Sequence, residues 1–63
     1  MKSGSVVKLK GHDWPVMTVR WVREGTVNQH TQPVAVTCEW FDSNIHLQQH
    51  EFKPETLELV NER

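Results

Sequence analysis

The chain has 63 residues, 37% of them hydrophobic, with one cysteine and a formal net charge of −1. That length gives one domain near the lower size limit for folding without a staple, and the lone Cys38 excludes an intramolecular disulfide. The near-neutral charge excludes a strongly basic nucleic-acid binder.

No apolar run approaches about 18 residues and Met1–Ser5 has no charged-then-apolar leader, so neither a membrane span nor a signal peptide is expected. A small secreted domain would usually carry several cysteines, so a reducing cytoplasm is the expected location. Charge is uneven along the chain. Residues 1–23 hold Lys2, Lys8, Lys10, Arg20 and Arg23 against Asp13, or +4; the remainder holds Lys53 and Arg63 against seven acids, or −5.

In chain order, residues 1–4 are polar and expected to fray, as are 61–63. Ser5–Lys10 alternates, with Val7 and Leu9 on one face and Lys8 and Lys10 on the other, the period of a half-buried strand. Gly11-His12-Asp13-Trp14-Pro15 breaks it. Val16–Arg23 reads as a second strand with Met17, Val19 and Trp21 inward. Glu24–Pro33 reads as one long loop, with Thr26 and Val27 able at most to extend a hairpin arm.

Val34–Asp42 is the most strand-like run and is expected to be the central strand, with Val34, Val36, Cys38 and Trp40 in the core. Asp42-Ser43-Asn44 should reverse the chain into a fourth strand, Ile45–Phe52. The poor alternation of that strand calls for a bulge near Gln48–Gln49. Pro54-Glu55-Thr56 suits one helical turn, and Leu57–Val60 a last strand with Leu57 and Leu59 inward. Five short strands with a one-turn helix before the last describe a single all-β domain over 1–63, a small five-stranded SH3-like barrel.

Four segments carry a family resemblance. They are Ser5-Val6-Val7-Lys8-Leu9-Lys10, Pro15-Val16-Met17-Thr18-Val19, Val36-Thr37-Cys38-Glu39-Trp40-Phe41-Asp42, and Phe52-Lys53-Pro54-Glu55-Thr56-Leu57-Glu58-Leu59. Together they resemble the YodC-like family of small bacterial proteins. The resemblance implies a small β-barrel in a bacterial cytoplasm and no established activity. His12-Asp13-Trp14 stands where relatives tend to be Gly-rich, and the 24–33 segment looks longer than is usual; both are loops, where binding preferences change most easily.

No residues form a catalytic set, so the chain is not expected to be an enzyme, nor to need a cofactor or metal. Cys38, between Thr37 and Glu39, reads as a small buried hydrophobe. His46 and His50 would share a strand face but stand about 13 Å apart, too far to chelate one ion; with His12 and His30 they read as surface residues. Trp14 either lines a groove in the first loop or folds back as a lid on the core, and the scarcity of apolar material favours the lid. Trp21 and Trp40 read as core.

Trp14, Pro15 and His12 are the candidate partner-binding residues of a protein-interaction module, with the 24–33 loop as a second contact. Lys8, Lys10, Arg20 and Arg23 are the candidates for an alternative, a nucleic-acid-binding barrel of the KOW type, although Lys on an edge strand is also an ordinary guard against aggregation.

Overall fold

A computed structural model describes residues 2–61. It is all-β, with one 3-10 turn at Pro54–Thr56. The strands are β1 (Val6–Leu9), β2 (Met17–Val27), β3 (His30–Phe41), β4 (Leu47–Phe52) and β5 (Leu57–Asn61). They form one antiparallel sheet in the order β4-β3-β2-β1-β5. The five strands and the helical turn before the last agree with the sequence reading. The expected closure does not: β4 and β5 are the two edges of an open sheet. The middle strand of the five is β2, and β3 lies beside it.

The core is Val7, Met17, Val19, Val36, Cys38 and Leu57, edged by Leu9, Val22, Trp40 and Phe52. All five strands contribute. A flat sheet would leave one such face in water, yet these six are buried although the described residues form a single sheet with no second layer over it. The sheet therefore curls around its own apolar face. Phe52 closes one side, 6.2 Å from the Trp40 ring and 4.8 Å, edge-on, from His50.

The inward set of β2 departs from simple alternation. Its register against β3 shifts between Val19 and Trp21, which leaves Arg20 as an extra residue. A one-residue bulge flips everything beyond it to the other face. Trp21 thus pairs with Thr37 on the outer face and is 51% exposed, while Val22 turns inward opposite Val36. The expectation of a core Trp21 fails for this reason. Trp40, with no bulge near it, is half-buried against the core.

The 24–33 segment is not a loop. β2 and β3 continue through it as paired arms, Glu24 opposite Pro33 and Val27 opposite His30. A two-residue turn joins them, with Asn28 at φ 51° and Gln29 at φ 68°, both in the left-handed region. Two such residues give the turn whose twist matches paired strands. Neither β1 nor β4 flanks these arms, so they project as a two-stranded ribbon and contribute to a long axis of 43 Å.

β4 also differs from expectation. It begins at Leu47, and its six pairs with β3 run without a register shift, so there is no bulge at Gln48–Gln49. The poor alternation has another cause: Ile45 belongs to the turn, and Leu47 lies on the outer face beside Phe41, exposed. In β5, Leu57 is buried but Leu59 is exposed. Lys2–Gly4, expected to fray, carry bonds to the sheet: the Gly4 N–H donates to the Val19 carbonyl at 2.9 Å and the Ser3 hydroxyl to the Arg20 carbonyl at 2.9 Å. Asn61 pairs with Val6. Met1, Glu62 and Arg63 lie outside the described residues.

Candidate interaction surface

The connection between β1 and β2 is anchored at its start. The His12 N–H donates to the Leu9 carbonyl at 3.0 Å, across Gly11 at φ 79°. Asp13 meets the Lys8 ammonium at 3.4 Å. Trp14 follows and is 63% exposed, with Pro15 half-buried beside it and His12 exposed. Trp14 is therefore not a lid on the core. The curled sheet already covers that face, and the tryptophan stands in solvent.

The same end of the sheet exposes other apolar side chains. Phe41 and Leu47 pair across β3 and β4 and are 62% and 57% exposed. The register of Thr18 with Glu39 and Val19 with Cys38, extended by two residues, sets exposed Val16 opposite Phe41. Between β3 and β4, Asp42 organises the turn. Its Oδ1 accepts the Asn44 and His46 backbone N–H groups at 2.9 Å each, and its Oδ2 accepts the Gln48 side-chain amide at 2.9 Å. The N–H of His46, then the Gln48 amide, hold the Asp42 carboxyl below its ordinary pKa.

This turn presents Ile45, 79% exposed and at φ 61°. A β-branched residue in the left-handed region is a steric outlier, and here it gains no burial in return.

Sequence reading placed Ile45 at the start of the fourth strand and did not assign Val16 or Phe41 to a site. The turn residues Ser43 and Asn44 were a signal that Ile45 precedes the strand. For Phe41 the signal was its alternation opposite Val36 and Cys38.

The two parts of the expected partner site are not together. The Trp14 connection precedes β2 and the hairpin tip follows it, ten residue steps away, or about 33 Å along an extended strand. Pro15 and His12 accompany Trp14; the ribbon does not.

The basic candidates are distributed differently again. Lys8 meets Asp13 at 3.4 Å and Glu58 at 3.7 Å, Arg20 meets Glu39 at 3.4 Å, and Arg23 meets Glu51 at 3.2 Å. The last pair runs from β2 to β4 and so spans β3, whose outer-face Ala35 and Thr37 are small and buried. Lys10 is exposed. Three of the four cations thus face carboxylates of their own chain, which offsets much of the local positive field.

Cys38 is fully buried, and burial pushes its thiol up to about 11. At neutral pH it stays protonated and a poor nucleophile. Among the described residues no three His, Cys, Asp or Glu side chains are grouped to hold a metal ion. No helix of the described residues is long and apolar enough to cross a membrane.

No curated protein and no solved structure is a significant match to the chain. A family model does match, over residues 2–57, which takes in β1 through β4, the 3-10 turn and the first residue of β5. The chain belongs to the family described as uncharacterized small protein, DUF2158.

Proposed function

We propose that this protein is a non-enzymatic interaction module that binds a protein partner with the apolar end of its sheet, centred on Trp14. The observation that carries the reading is the exposure of Trp14, Phe41, Ile45 and Leu47 at one end of the fold. Single exposed apolar residues are ordinary, but large ones gathered on one region of a small domain are a recurring mark of interaction sites. Tryptophan is also among the residues that most often dominate interface energy. Ile45 adds a second argument, since its left-handed backbone costs stability in the free protein and its side chain gains no burial to offset it.

We read the curled sheet as SH3-like, a reading supported by the meander β1 to β4, the return of β5 beside β1, and the helical turn before it. The YodC-like resemblance and a cytoplasmic location belong to the same proposal. A lone cysteine with a protonated, buried thiol suits a reducing compartment. The nucleic-acid alternative on Lys8, Lys10, Arg20 and Arg23 has weaker support because of the carboxylates facing three of them. Oligonucleotide affinity that fell steeply with salt and vanished on Lys10→Glu would favour it over ours.

The test is site-specific photo-crosslinking in the native cell, with a photoreactive residue at position 14, 45 or 32. A discrete protein adduct from 14 and 45, and none from 32 on the ribbon, is expected. Adducts from 32 alone would place the site on the ribbon and overturn the reading.

A further inference from the structure

The two sheet edges are protected unequally. β5 is short, it carries Glu58 in an ion pair with Lys8, and its register slips so that Val60 has no partner on β1. A bulge and a charge are usual guards against pairing with another chain. β4 has neither bulge nor lysine nor proline along Leu47–Phe52, and its one charged residue, Glu51, is already paired with Arg23 of its own chain. It is a regular, nearly uncharged edge.

The direction of its backbone groups follows from the turn. The Asp42 N–H donates to the His46 carbonyl at 3.0 Å, so residues 42 and 46 are a hydrogen-bonded pair. Hydrogen-bonded and non-hydrogen-bonded pairs alternate along an antiparallel ladder. Gln48, His50 and Phe52 therefore bond to Trp40, Cys38 and Val36 on β3. Leu47, Gln49 and Glu51 aim their N–H and carbonyl groups away from the sheet, at the free edge.

We propose that β4 pairs antiparallel with β4 of a second copy of this chain, about a two-fold axis at Gln49, giving one continuous ten-stranded sheet. A two-fold that keeps inner and outer faces matched must pass through a residue rather than between two. With the axis at Gln49, the outward groups of Leu47, Gln49 and Glu51 all meet their counterparts, for about six backbone hydrogen bonds within the strand.

The side chains are self-complementary in this register. Gln49 faces Gln49 of the second copy, amide to amide. Gln48 faces His50, and Leu47 faces Glu51, so no like charges are opposed. The β4 edge shares only Leu47 with the apolar end of the sheet, and the pairing uses the backbone of Leu47 and none of Trp14, Phe41 or Ile45.

Sedimentation equilibrium of the full chain from about 1 µM to about 1 mM tests this. A dimer is expected. Gln49→Lys sets like charges across the axis, and Gln49→Pro removes two of the backbone donors without touching the ladder to β3. Each should raise the dissociation constant about tenfold or more with the melting transition retained. Val60→Lys on β5 should leave it unchanged, and Gln49→Cys should give a disulfide-linked dimer on mild oxidation, since Cys38 is buried. A monomer throughout the range, a dimer indifferent to both position-49 variants, or one broken by Val60→Lys would each overturn the proposal.

Discussion

Asp42 shows how much of a turn one side chain can hold. Its carboxylate gathers two backbone N–H groups and the Gln48 amide, and these lower its pKa. A carboxyl whose folded pKa lies below its unfolded value adds stability above the unfolded pKa, and that stability is lost as pH falls through the folded one. Acid should thus loosen the turn only below the ordinary carboxylate range. The amide resonances of Asn44 and His46 should move together at that point, and Asp42→Ala should abolish the step.

Ile45 works in the opposite direction. Replacing it by asparagine, which tolerates φ 61°, should stabilise the domain by roughly 0.5–1 kcal/mol. That would appear as a melting temperature several degrees higher, about 4–8 °C per kcal/mol for a domain of this size. The same variant should weaken crosslinking from position 14, because it removes a partner contact. Cys38 should react with a thiol reagent only when urea unfolds the chain, since burial keeps its thiol protonated and inaccessible.

At the scale of elements, the sequence was legible wherever one face is buried and the other is not. Val7 and Leu9, Met17 and Val19, and Val36 and Cys38 alternate because the curled sheet covers one side of them, and their strands could be read directly. Reading failed where that cause is absent. Thr26, Val27, Thr31 and Gln32 pair as strands, but the ribbon is exposed on both faces, so no alternation marks it. The Asn28-Gln29 turn lacks the glycine that usually signals a tight hairpin. Gln29→Gly should relieve the strain at φ 68° and slow amide exchange in the ribbon, leaving β1 and β5 unchanged. Trp21 was misplaced by the single extra residue at Arg20, and a bulge of that kind leaves no mark in composition. Trp14 was misjudged because scarce apolar material argued for burying it, whereas curling the sheet buries a core of valines, Met17 and Leu57 without it.

Across the whole molecule the apolar residues divide between a small core and one exposed end of the sheet. Six small and medium side chains hold the fold, and several of the largest are left outside it at one end. Met17, 1% exposed, is core; its truncation to alanine should cost about 2–5 kcal/mol, a large share of what so small a domain has. The most direct test is urea unfolding of Trp14→Ala beside Met17→Ala, with crosslinking from position 45 followed in the same Trp14→Ala protein. Trp14→Ala should keep its unfolding free energy within about 1 kcal/mol of the parent and lose the crosslinked partner. If Trp14→Ala instead unfolded as readily as Met17→Ala, Trp14 would be part of the core, and if it kept the partner undiminished, Trp14 would not be the centre of an interaction surface.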